Sequence, residues 1–180
     1  MADFSSAVFR CSPISVEYGG DHYLFRLVHA DEWMSAMASA AWPVHVLYTA
    51  EPDSYEQFVT RVEDGALGRD DLEPIARKVL AEASGRTWWQ AMRLMNAVLG
   101  SDRVAGAVLS TGVDPSRMTL AAFLAVVFSC LTRDRKPEDV MQLEAELMAP
   151  PPEAAQELEQ GMDLAQMAHM FRGMQGARVG

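Results

Sequence analysis

The residue types that could carry catalysis or bind a metal are scattered along this sequence. The four histidines are His22, His29, His45 and His169. No two of them fall four residues apart beside an acid, which is the spacing that places two zinc ligands on one helix face. Neither cysteine, Cys11 or Cys130, has a histidine near it in the sequence, and no Gly-x-Ser-x-Gly elbow occurs. The sequence therefore predicts no catalytic site, metal or cofactor, although catalytic partners can lie far apart in a chain.

The glycine pairs and the clustered acids have simpler structural interpretations. Gly19-Gly20 and Gly65-x-x-Gly68 lack the lysine and the strand-to-helix context of a phosphate-binding loop, so we interpret them as turn glycines. Asp70 and Asp71 stand at the predicted start of a helix, where the helix dipole favours acids without any catalytic role. A small enzyme with an unfamiliar site stays as the least favoured function class.

Two groups of apolar residues are candidates for binding another protein. Trp88 and Trp89 are neighbours in a predicted helix and point about 100° apart, so either the helix is buried on a wide face or one indole meets a partner. The second group lies near the C-terminus, where half of the 12 methionines fall within the last 40 residues. Flexible thioethers suit surfaces that grip varied apolar targets.

A run of three prolines, Pro150 to Pro152, marks the predicted domain boundary, because it favours an extended spacer. We expect a helical domain at 1–149, the proline spacer at 150–152 and an amphipathic, partly flexible segment at 153–180. That segment is too short to build its own core, so its apolar side chains dock on the parent domain or on a partner. The candidate partner-binding side chains are Leu158, Met162, Met167, Met170 and Phe171.

Apolar spacing and turn signals predict a mainly α fold, a compact multi-helix domain that begins with a small β-hairpin. Residues 14–18 and 22–28 are rich in branched and aromatic side chains and flank the turn at 19–21. Two strands alone are marginal in water, so the hairpin must lie on a helix or complete a partner's sheet. Trp42-Pro43 is predicted to end the first helix. Six or seven helices are predicted, at 32–40, 52–64, 70–84, 87–99, 102–110, 118–131 and from 137 onward.

Charge and hydropathy exclude several kinds of partner. The 180 residues carry 25 Asp plus Glu against 15 Lys plus Arg, and the net charge of -10 repels both nucleic acid and anionic lipid. The most apolar run, 118–131, is shorter than the roughly 20 residues that span a bilayer. The N-terminus lacks the basic start and apolar core of a signal peptide. We expect a cytoplasmic protein that binds neither nucleic acid nor membranes.

Several stretches together resemble the tail assembly chaperones of tailed phages that infect actinobacteria. They are GRTWWQAMRL at 85–94, GVDP at 112–115 with the apolar helix after it, and MAPPP at 148–152. YLFR at 23–26 and DEW at 31–33, ahead of a Trp-Pro turn, fit the same pattern. The resemblance covers about residues 20–155.

This resemblance implies a non-catalytic protein of the host bacterial cytoplasm that binds other proteins. Its client would be the tape measure protein, a long apolar helical chain kept soluble while tail tube subunits polymerise around it. The alternative is a structural adaptor or component that remains in the phage particle, its hairpin completing a neighbour's sheet. Self-association of the chain is left open.

Overall fold

The computed structural model describes residues 13–155, and this part of the chain is mainly helical with one antiparallel hairpin at its N-terminal end. The chain divides into two compact units, Met1–Val140 and Met141–Gly180. In order, the elements are β1 Ile14–Tyr18, β2 Asp21–Phe25, α1 Ala30–Met37, α2 Trp42–Leu47, α3 Pro52–Glu63, α4 Arg69–Ser84, α5 Trp88–Leu99, α6 Asp102–Leu109, a short 3-10 turn Pro115–Arg117, α7 Leu120–Thr132 and α8 Pro137–Met148. The mainly helical fold with an N-terminal hairpin is confirmed.

The hairpin turns at Gly19-Gly20, where both φ angles are positive at 61° and 86°. Glycine adopts this backbone without strain, and a two-residue turn of this kind matches the twist of the flanking strands. The register pairs Ile14 with Phe25 and Tyr18 with Asp21. Alternate side chains of the two strands, including Ile14 and Phe25, are fully buried.

The hairpin packs on helices of its own chain: β1 contacts α4 and β2 contacts α3. The outer edge of β2 is covered by the segment that leads into α3. The backbone N–H of Glu51 donates to the Leu24 carbonyl at 2.8 Å, and the Leu24 N–H donates to Ser54 Oγ at 2.8 Å. The N–H of Arg26 donates to the Thr49 carbonyl at 2.7 Å. These bonds fix the start of α3 against the sheet, since a strand edge needs partners for its polar backbone groups.

Helix α4 is the centre of the first unit, because it contacts α2, α5, α7 and β1. Its apolar stripe at i, i+4 and i+5 spacing, Ile75, Val79 and Leu80, is fully buried. The helix begins where the Asp71 carboxylate accepts the Gly68 N–H at 2.7 Å, and it ends at Gly85 in the left-handed conformation. Buried side chains of α5 and α7, such as Leu94 and Leu124, complete the core.

The structure differs from the sequence-based prediction around Trp42-Pro43. The first helix already ends at Met37, and the Trp-Pro pair begins the additional helix α2. The prediction that this pair ends a helix was wrong, because proline in a first turn has no intrahelical N–H bond to lose. At the other end, α8 ends at Met148 and helical backbone resumes at Pro152, so residues 149–151 break the helix.

No helix in the described part of the chain combines the length and the apolar character needed to cross a membrane.

Candidate functional site

An apolar groove of about 580 Å³ lies between α2, α3 and the start of α4. Its lining residues are Val44, Leu47, Tyr48, Tyr55, Phe58, Val59, Val62, Glu63, Leu67, Gly68, Arg69 and Leu72. Only two of these side chains, Glu63 and Arg69, are charged. The groove therefore offers a hydrophobic surface with few polar groups, which is a common composition of binding pockets.

Helix α3 forms one wall of the groove and has two distinct faces. Ser54 is buried against the hairpin, and Phe58 contacts the Tyr23 ring edge-on at 6.0 Å between centroids. The adjacent stripe, Tyr55, Val59 and Val62, follows i, i+4, i+7 spacing but remains 40%, 36% and 45% exposed. An apolar stripe at this spacing normally covers a core, so its exposure indicates a surface that another molecule can cover.

Helix α2 forms the facing wall. Its Val44 is 39% exposed, and Tyr48, which directly follows the helix, is 61% exposed, although Leu47 between them is buried. The Tyr48 ring stacks on the Tyr55 ring of α3 with centroids 6.3 Å apart and an interplanar angle of 25°. This pair bridges the two walls and leaves aromatic faces exposed in the groove, an arrangement suited to apolar or cationic side chains.

The third wall, at the start of α4, is tied to the hairpin by a tyrosine. The Tyr18 hydroxyl donates to Asp71 Oδ1 at 2.6 Å. This bond, with some burial, raises the pKa of Tyr18 to about 12. The same hydroxyl, helped by the Gly68 N–H, lowers the pKa of the Asp71 carboxyl. Asp71 is thus held as a carboxylate that fixes the α4 end of the groove.

The segment that forms the groove is strongly acidic. Residues 44–73 hold two arginines, Arg61 and Arg69, and a larger set of acids: Glu51, Asp53, Glu56, Glu63, Asp64, Asp70, Asp71 and Glu73. Arg61 is committed to an ion pair with Asp21 at 2.8 Å, which lowers the pKa of that carboxyl. On α3, Glu56 and Glu63 are exposed and separated by seven residues, so they lie on one side of the helix next to the apolar stripe.

The tryptophan pair lies elsewhere in the first unit. Trp88 and Trp89 are both half-buried and contact each other edge-to-face, with centroids 5.7 Å apart at 90°. The Arg77 guanidinium covers the Trp88 ring at 4.0 Å from its centroid. The Trp89 Nε1 atom is buried and makes no hydrogen bond within residues 13–155. Neither indole is freely exposed, and their role in partner binding stays a prediction.

The C-terminal candidates lie outside the described residues. These are Leu158, Met162, Met167, Met170 and Phe171. The sequence predicts the helix at 52–64 but not the groove, because spacing alone does not tell whether an apolar stripe meets a core or solvent. The two closely spaced tyrosines on consecutive helices are the one sequence signal that could have drawn attention to it.

A second, more polar depression of about 420 Å³ lies on the other side of α2. Trp33 and Val46 form its buried floor, and Asp31, Glu32 and His45 stand exposed around it. Within residues 13–155, no group of three or more His, Cys, Asp or Glu side chains is placed to hold a metal ion. The apolar groove is the better candidate site, because it is larger and its lining is more apolar than that of this depression.

No family model, curated protein or solved structure matches this chain.

Proposed function

We propose that this protein is a non-catalytic protein-binding factor whose groove between α2, α3 and α4 captures an apolar helical segment of another protein. The observation that carries the proposal is the exposed apolar stripe of α3 together with exposed Tyr48 at the end of α2. The stripe consists of Tyr55, Val59 and Val62. A groove lined by apolar side chains is the surface into which an amphipathic helix lays its apolar face. Its anchors would repeat every three or four residues along the bound helix.

The energetics of the groove suit reversible capture. Covering the exposed part of each of these four side chains contributes on the order of 1 kcal/mol, at about 25 cal/mol per Å² of apolar surface. Association costs at least several kcal/mol in lost translational and rotational freedom. The groove alone therefore favours a weak, exchangeable complex, and several contacts along a long client are needed for stable capture.

In its specific form, the proposal is a phage tail assembly chaperone whose client is the tape measure protein. Support comes from the resemblance of the Gly85 to Leu94 stretch and the later segments to that family, and from the acidic charge, which keeps a chaperone–client complex soluble. A chaperone holding an apolar helical chain needs an exposed apolar groove. It would act in the host bacterial cytoplasm, with tail tube subunits as further partners.

The test is co-expression of the chain with tape measure fragments, followed by pull-down and measurement of the soluble fraction. Replacing Val59→Ser and Val62→Ser together removes anchors without changing the charge, and we expect recovery of the client to fall at least tenfold. The matched control is Leu99→Ser with Leu109→Ser, because these residues are 43% and 63% exposed on other helices. Both doubles must keep the helical circular dichroism of the wild type. Equal recovery with both doubles would remove the groove from the binding surface.

The structural-component alternative makes a different prediction about mature particles. A chaperone leaves the assembly, whereas a structural adaptor stays in it. Immunoblotting of purified phage particles for this chain distinguishes the two functions. Absence of the chain from the particles supports the chaperone, and a stoichiometric band supports the adaptor.

A further inference from the structure

We propose that the helix captured by the groove is basic, with Lys or Arg residues flanking its apolar face. This inference rests on the proposed function and adds the chemistry of the client. It follows from the charges of residues 44–73, the segment that forms the groove, in which acids outnumber arginines.

The excess of acidic residues is concentrated in residues 44–73, the segment that forms the groove. Of the two arginines in residues 44–73, Arg61 is engaged by Asp21, and Arg69 lines the groove together with Glu63. Asp71 and Glu73 are also engaged, by the Tyr18 hydroxyl and by Arg77. The Glu63 carboxylate is exposed in the lining, and Glu56 on α3 and Asp70, which follows Arg69 in the sequence, are exposed as well. Their field favours a positively charged partner and repels an acidic one.

The positions on α3 make the complementarity specific. Glu56 and Glu63 lie two turns apart, a rise of about 10 Å along the helix. Val59 and Val62 lie between them on the adjoining stripe. A partner helix that lies along α3 would place two basic residues, seven positions apart, against the two carboxylates. Its apolar residues three and four positions after the first basic residue would then enter the groove. The exposed face of Tyr48 offers a further site for a Lys or Arg side chain through a cation–π contact.

The experiment compares two fluorescent peptides of about 20 residues with identical Leu and Ala positions at helical spacing. One carries Lys on both flanks of the apolar face and the other carries Glu at the same positions, both being good helix formers. Binding to the full chain is measured by fluorescence anisotropy. We expect the basic peptide to bind at least tenfold more tightly at low salt, and the difference to shrink at about 0.3 M salt, where screening is stronger.

Two pairs of charge-removing substitutions test whether the preference for the basic peptide arises at the groove. Replacing Glu56→Gln and Glu63→Gln should reduce the preference for the basic peptide at least threefold. The matched pair is Asp134→Asn, in the exposed segment after α7, and Glu144→Gln, exposed on α8. It changes the net charge equally and should leave the preference unchanged within twofold.

The binding results distinguish the basic-client inference from the proposed groove function. Equal binding of the two peptides overturns the basic-client inference and leaves the groove as an apolar binding site. A preference that both charge variants reduce equally assigns it to the net charge of the chain and overturns the inference as well. If neither peptide binds at all, both the inference and the proposed groove function fail.

Discussion

Replacing Ser54→Ala tests how the wall of the groove is held in place. Ser54 is buried at the start of α3, and its Oγ accepts the Leu24 N–H from the edge of β2 at 2.8 Å. Alanine keeps the packing but leaves that N–H without its acceptor. An unsatisfied buried donor costs about 1–3 kcal/mol. Because the Leu24 side chain is partly exposed and water can approach, we expect a loss of about 1–2 kcal/mol in the free energy of unfolding.

The assay is urea unfolding followed by tryptophan fluorescence, with the slope of the free energy against urea checked for equality between variants. Ser110→Ala is the control, since Ser110 is exposed and its hydroxyl bonds a carbonyl within its own helix end. It should change stability by less than about 0.5 kcal/mol. Amide exchange at Leu24 should also accelerate in the Ser54 variant. An unchanged midpoint with unchanged Leu24 protection would show that this bond does not hold α3 against the hairpin.

Three further predictions concern the other parts of the chain. Because the Tyr18 pKa is raised to about 12 from 10.0, its hydroxyl contributes stability that is complete below pH 10 and lost as pH rises towards 12. In Tyr18→Phe, urea unfolding at several pH values should show a smaller loss of stability as the pH rises from 10 to 12. Because the Tyr18 hydroxyl also lowers the pKa of Asp71, the variant should lose less stability in acid as well. Truncation after Ala149 should leave the thermal midpoint within about 5 °C of that of the full chain. A larger fall, which corresponds to a loss of roughly 1–2 kcal/mol in stability, would mean that the removed segment stabilises the fold. Replacing Met170→Ser and Phe171→Ser should leave the fold intact and weaken client pull-down at least tenfold, and unchanged recovery would remove these side chains from the binding surface.

Most helices of the described part could be predicted because their apolar positions repeat at helical spacing and their ends carry turn or capping residues. The predicted helix at 70–84 and the observed α4 differ by one residue at the start. Helix α2 was missed because its six residues, Trp42–Leu47, are too few to show a periodic stripe. Proline was taken there as a stop signal, although it serves equally well in a first turn.

The groove could not be predicted because exposure is a tertiary property. The stripe of Tyr55, Val59 and Val62 on α3 has the same spacing as Ile75 and Val79 on α4. One stripe is covered by neighbouring helices and the other is not, and only the arrangement of the elements decides which. The tryptophan pair drew attention in the sequence because indoles are large, yet its exposed area is limited by mutual contact and by Arg77.

Site-specific photo-crosslinking can show whether the client lies in the groove between α2, α3 and α4. A photoreactive phenylalanine analogue is placed at Tyr55 in the groove, or at Leu109 as an exposed control position on α6. Each variant is co-expressed with the tape measure protein and irradiated, and covalent adducts are identified by mass spectrometry. We expect an adduct from position 55 to a helical, apolar segment of the client with basic residues beside it, and none from position 109. Absence of any adduct from position 55, while the client is still recovered with the chain, would contradict this expectation.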